Sequence, residues 1–126
     1  MGLNDENMIG YTPEQIKELM EKRFGLCLDS NHAIKAAVSL RRPYREFIEE
    51  FLVLKPKTFH ISDGKLNSEK DDHLNIGEGD YDFEFLMGCV KDAKSKYVTL
   101  ETPRIKSNSF EEDLRNLEKL RLWLNI

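Results

Sequence analysis

The sequence predicts an α/β domain whose parallel strands are joined by right-handed helical crossovers. Three observations carry that prediction. Short apolar runs alternate strictly with amphipathic stretches. Each clear run (26–28, 58–61 and 97–100) ends at or beside a residue of ligand type: Asp29, His60 and Glu101. The stretch Phe59 to Asp82, FHISDGKLNSEKDDHLNIGEGDYD, is long for a strand-to-helix connection and crowded with imidazole and carboxylate. Parallel strands deliver all their C-terminal ends to one rim, where α/β sites are built.

The chain's 126 residues suffice for one domain with a real core. Forty per cent apolar and 33% charged residues are ordinary for a globular protein. A net charge of −4 leaves no basic footprint, which counts against nucleic acid unless a bound metal and a local basic patch offset it. Cys27 and Cys89 sit in apolar contexts without framework spacing, so both are expected as reduced core residues of a cytosolic protein. No apolar run approaches membrane-spanning length, and the N-terminus lacks a basic-then-apolar signal pattern. A cytoplasmic protein with no membrane partner is expected.

Taken in order, residues 1–10 read as a polar terminus or as a strand whose end carries Glu6-Asn7. Thr12-Pro13-Glu14-Gln15 starts a helix with a capping box and a proline in the first turn. Ile16, Leu19 and Met20 form its apolar stripe, Phe24 lies near its end, and Gly25 stops it. Leu26-Cys27-Leu28 is a short buried strand running into Asp29. Residues 33–40 fit a helical turn or two, or a loop. From Pro43 a helix places Tyr44, Phe47, Ile48, Phe51 and Leu52 on one face until Lys55-Pro56 breaks it. Residues 58–61 form the next strand. After the long loop, Asp82 caps a helix bearing Phe83, Leu86 and Val90. Residues 97–100 are a buried strand ending at Glu101-Thr102-Pro103. Ser109 and Glu112 form a second capping box, with Phe110, Leu114, Leu117, Leu120 and Leu124 inward on the last helix.

Two constellations follow. Asp29, His60 and Glu101, with Glu6 if the first strand exists, converge on one rim. Acids buried together repel one another, and a divalent cation relieves both the repulsion and the desolvation. His32, three residues past Asp29, joins Asp71 and His73 in a second set of two imidazoles and a carboxylate, a familiar zinc combination with room for water. Any one of these residues reads equally well as a helix cap or a solvated loop residue. As a set they share one face and one chemistry, which independent caps have no reason to do.

The segments LCLDSNHA, FHISDGK, DDHLNIGEGDYDF and VTLETP resemble the xylose isomerase-like barrel superfamily, and within it endonuclease IV, the apurinic/apyrimidinic endonuclease family 2. The resemblance runs nearly the whole chain but covers only the C-terminal half of a fold that needs roughly 250 residues. It implies half of a TIM barrel, about four β–α units with parallel strands, units five to eight, with residues 1–126 as a single half-barrel domain. Residue by residue, Glu6 matches a metal-bridging glutamate. Asp29, His60 and Glu101 match the rest of the central metal site. His32, Asp71 and His73 match the third zinc site of the nuclease branch. The spacing of His60, Asp63 and Lys65 fits that branch as well. Gly77 and Gly79 are expected to let the loop turn tightly, with no ligand role for Glu78. A metal that also takes two first-half histidines would keep only Glu6 here.

The resemblance implies a zinc-dependent phosphodiester hydrolase, or its metal-binding half, acting on abasic DNA. Glu101 and Glu6 would orient water as well as bind metal. Lys65 is a solvated loop lysine more readily than a phosphate contact. The alternative is a sugar isomerase or epimerase using one Mn²⁺ or Mg²⁺, with His32 on the substrate oxygen. A third reading is a non-catalytic fragment. The two open sheet edges of a half-barrel invite pairing. A homodimer closing a barrel, or a missing N-terminal half supplied as a partner, is therefore expected.

Overall fold

The computed structural model describes residues 12–21 and 24–125. Glu6 and the strand expected before it lie outside the described residues. Within them the order is α1 (Pro13–Met20), β1 (Cys27–Asp29), α2 (Ser30–Ser39), α3 (Tyr44–Leu52), β2 (Thr58–Ile61), α4 (Phe83–Asp92), β3 (Tyr97–Leu100) and α5 (Glu111–Leu124). The three strands form one parallel sheet in the order β1-β2-β3. This is the alternating α/β architecture that the hydrophobic pattern predicts.

Local chemistry sets most boundaries. The Thr12 hydroxyl accepts from the Gln15 amide and the Gln15 side chain accepts from the Thr12 amide, closing the expected capping box at α1. That helix stops at Met20, short of Gly25, and Phe24 lies outside it, 66% exposed. Residues 33–40, left open between helix and loop, belong to a ten-residue helix that begins directly after β1. Asp29 ends the strand and caps that helix, accepting from the His32 amide at 3.0 Å. Asp82 caps α4 in the same way, through the Phe85 amide.

Among the described residues, one sheet face is covered and the other is not. Leu28, Phe59 and Ile61 point into a core shared with Ile34, Phe47, Ile48, Phe51, Leu86, Met87 and Leu120. The alternate residues form in-register rows on the opposite face: Cys27, Thr58 and Tyr97, then Asp29, His60 and Thr99. This period of two corrects two expectations. Cys27 is exposed rather than core, while Cys89 is buried as expected. Tyr97 is 70% exposed, so β3 is not a buried strand.

The last helix corrects a third and a fourth. No capping box forms: Phe110 holds the cap position without a side-chain bond, and the Glu112 carboxylate accepts from the Ile105 amide instead. Asn116 and Leu120 face inward, with Trp123 stacked on Phe83 at 5.7 Å. Leu120 and Leu124 join or pack on the core as expected, but Phe110, Leu114 and Leu117 are exposed. The apolar surface of α5 is wider than the ground it has to cover among the described residues.

Candidate metal centre

Strand register builds the first half of the site. Asp29 and His60 are direct neighbours across β1 and β2. The Glu101 amide donates to the Ile61 carbonyl at 2.9 Å, which carries the β3 ladder one step further and puts Glu101 two residues past Thr99 on the same face. Ligand atoms of Asp29, His60 and Glu101 all lie within 4.8 Å of one another. His60 Nδ1 stands 2.8 Å from a Glu101 oxygen. The three residues expected to converge do so.

The long loop supplies the second half, and it is held like a piece of secondary structure. Asp63 is its hub. Its carboxylate, 1% exposed, accepts from the amides of Gly64, Gly77, Gly79 and Tyr81 at 2.8 to 3.3 Å. Its backbone pairs antiparallel with Leu74, at 3.0 and 2.9 Å. Gly79 passes so close to the hub that an added Cβ would collide with the Gly64 backbone and the Asp63 carboxylate, and Gly77 needs a φ of +95°. The glycine pair thus turns the loop as expected. The buried Asn116 of α5 accepts from the Ile76 amide at 2.9 Å and donates to Asn75 and Thr102. Lys65, read as a solvated loop lysine, stands half-exposed 3.6 Å from Asp80.

On this frame His32 Nε2 meets an Asp71 oxygen at 3.0 Å while its Nδ1 stands 3.4 Å from Asp29. His73 reaches Asp71 and Glu101, both at 3.5 Å. The two imidazoles meet edge to face, with centroids 5.8 Å apart. Ligand atoms of Asp29, His32 and His73 form a second group within 4.8 Å, so Asp29 belongs to both groups. All six residues are placed around one rim.

The donor chemistry suits divalent cations. Burial first, and then the Glu101 carboxylate, push the Asp29 carboxyl above its ordinary range against the His32 amide that favours the charged form. Crowded carboxylates beside imidazole nitrogens, on a surface still open to solvent, match the nitrogen and oxygen preferences of zinc or manganese. Residues 27–32 and 58–60 with Glu101 would hold one ion through Asp29, His60 and Glu101. Asp29, His32, Asp71 and His73 would hold another.

Sequence reading missed four residues that position this set. Asn31 donates to Asp71 at 2.8 Å, and the Tyr81 hydroxyl donates to Asn31 at 2.5 Å. Burial, with Asp72 and Asp63 nearby, pushes the Tyr81 hydroxyl well above its ordinary range, so it stays a donor. Asn116 holds the loop from α5. Lys35 is fully buried on α2, and the signal for it was present: one lysine inside the apolar run Ala33-Ile34-Lys35-Ala36-Ala37.

Residues 3–124 match the family described as "Xylose isomerase-like TIM barrel". Among relatives, "Probable endonuclease 4" of Halothermothrix orenii is 31% identical over 126 residues, covering 86% of this chain and 45% of that protein. Its namesake from Mycoplasmopsis synoviae is 36% identical over 109 residues, covering 77% and 39%. A crystal structure titled as a D-tagatose 3-epimerase-like protein superposes with a TM-score of 0.70 at 24% identity, covering 97% of this chain and 44% of that one. The chain thus spans less than half the length of these relatives.

Proposed function

This chain belongs to the xylose isomerase-like TIM-barrel family, and on that premise we propose that its rim binds two divalent ions, zinc foremost, and serves phosphodiester hydrolysis of the endonuclease 4 kind at abasic sites in DNA. The observation that carries this reading is the overlap of two ligand groups at Asp29. A carboxylate shared between two groups suits a pair of neighbouring ions, whereas one isomerase ion needs only the strand-end trio. The described strands and helices correspond, in this reading, to the later β–α units of the barrel. Glu6 is assigned as a further bridging ligand from the family resemblance alone.

When bound, the ions would draw a phosphodiester to the rim and lower the pKa of water there to near neutrality. The chain's own residues divide the remaining work. Glu101, half-exposed between His60 and His73, would orient a water and hold its proton. Asp71 fixes the ring planes of His32 and His73, and Asn31 fixes Asp71. The rim without ions is acidic, and the whole chain carries −4. An anionic substrate is therefore bound only once the ions are in place.

Metal analysis of purified protein tests the reading. Two or more zinc ions per chain, with nicking of abasic-site DNA that chelation removes, are expected. Two bound ions without nicking under added zinc would end the hydrolase reading for this chain. The strand-end trio forms without the loop, and that favours a second reading: a single Mn²⁺ or Mg²⁺ with ketose–aldose interconversion. One ion per chain and activity on a ketose would establish it instead.

A further inference from the structure

We propose that Lys35 is the clamp that assembles the second of the two ion subsites, so that this subsite can be removed while the strand-end one stays intact. The proposal rests on the two-ion reading above. Lys35 lies on α2, one turn beyond His32 and Asn31, and its side chain is fully buried. A buried ammonium persists only if its three donors are used and its charge is met. Here it donates to the Lys65 carbonyl at 2.7 Å and the Ser68 carbonyl at 2.8 Å, and stands 3.0 Å from Asp72 Oδ1. The Tyr81 ring lies beneath it, 5.9 Å away.

These contacts bridge the loop. Lys65 and Ser68 lie on its outgoing arm, and Asp72 sits between Asp71 and His73 on its return arm. A single side chain therefore fixes both arms to the helix that also carries His32. Asn31 and His32, one turn earlier on the same helix, also bond that return arm, both through Asp71. The ammonium also meets a carboxylate that contributes to neither ligand group. Strand pairing sets the backbones of His60 and Glu101, and their ladder contains no loop residue; the loop touches this pair only where His73 stands 3.5 Å from Glu101.

The test compares the wild type with Lys35→Met, which keeps the length of the side chain and removes all three contacts, and with Asp72→Asn, which removes only the charged partner. Zinc is titrated into metal-free protein by calorimetry, and hydrogen exchange of residues 62–82 is followed in the metal-free state. For Lys35→Met, weakening of the second ion by about 10- to 100-fold is expected, with the first ion unchanged and faster exchange confined to the loop. A general packing defect would instead weaken both ions together. Asp72→Asn should give the same split to a smaller degree, and it decides the matter if Lys35→Met does not fold. Unchanged binding of both ions and unchanged loop exchange in a folded variant would overturn the clamp. If the wild type takes up only one ion, the two-ion reading fails, and loop exchange alone then decides whether Lys35 holds the loop.

Discussion

The loop 62–81 and the β3–α5 edge invert the usual relation between regularity and order. The loop has almost no regular structure, yet its carboxylate hub, its glycine turns and two anchoring helices leave Asp63 and Ile76 essentially unexposed. The edge is a regular strand followed by a regular helix, yet Tyr97, Ile105, Phe110, Leu114 and Leu117 are exposed on it. Backbone hydrogen bonding makes an element, but burial needs something to pack against. In the loop, buried side chains supply the partners that a helix or ladder would supply. At the edge the backbone is satisfied by its own element, and the side chains are not covered.

The largest expected effect falls on the loop. Asp63→Ala would strand four amide donors in a buried site, and should lower stability by about 4 kcal/mol. Gly79→Ala should follow closely, because the collision involves backbone and cannot be relieved by a rotamer change. Urea denaturation followed by circular dichroism measures both. If Asp63→Ala cost no more than an ordinary surface substitution, the loop would not be the rigid partner in this comparison.

Next comes the site the loop helps to build. At a hundredfold excess over its dissociation constant, one ion binding only the native state adds about 2.7 kcal/mol. Zinc should therefore raise the denaturation midpoint, and chelation should reverse the gain. Asp29→Ala and His60→Ala should lose metal while keeping helical content. Asp29 enters both ligand groups, so its loss should cost more of the gain than that of His60. Asn116→Ala tests the bridge between the two regions. It leaves the Ile76 amide buried without a partner, for about 2 kcal/mol, and should loosen the loop from α5.

The contrast also explains what the sequence made legible. Helix caps at Thr12 and Asp82 and the strands at 58–61 and 97–100 are local signals, and local chemistry decides them. Asp29, His60 and Glu101 were found because parallel strands align their ends whatever the details of packing. Lys35, Asn31 and Asn116 went unread because each matters through a partner 14 to 50 residues away, or through burial that periodicity does not reveal. The misreading of β3 and α5 has a different cause. An apolar stripe records that a face is meant to be covered, not which part of the molecule or its surroundings covers it.

The smallest effect on stability should come from that stripe, and it is the sharpest test of the edge. Leu114→Lys and Leu117→Lys change exposed side chains on α5, so each should alter the stability of a single chain by no more than about 0.5 kcal/mol. Their effect should appear in association instead. If a second copy, or a complementary half of the barrel, packs on the α5 stripe and extends the sheet from β3, a lysine there places a charge in an apolar contact. Sedimentation equilibrium over a range of concentrations separates the cases. A wild type that dimerises, with variants that remain monomeric and equally stable, assigns the stripe to a two-fold assembly of this chain. A wild type that stays monomeric throughout removes closure by dimerisation and leaves a separate half as the partner to be sought. In either case the loop should be indifferent: zinc uptake per chain in these variants should match the wild type, because none of its ligands among the described residues stands on α5.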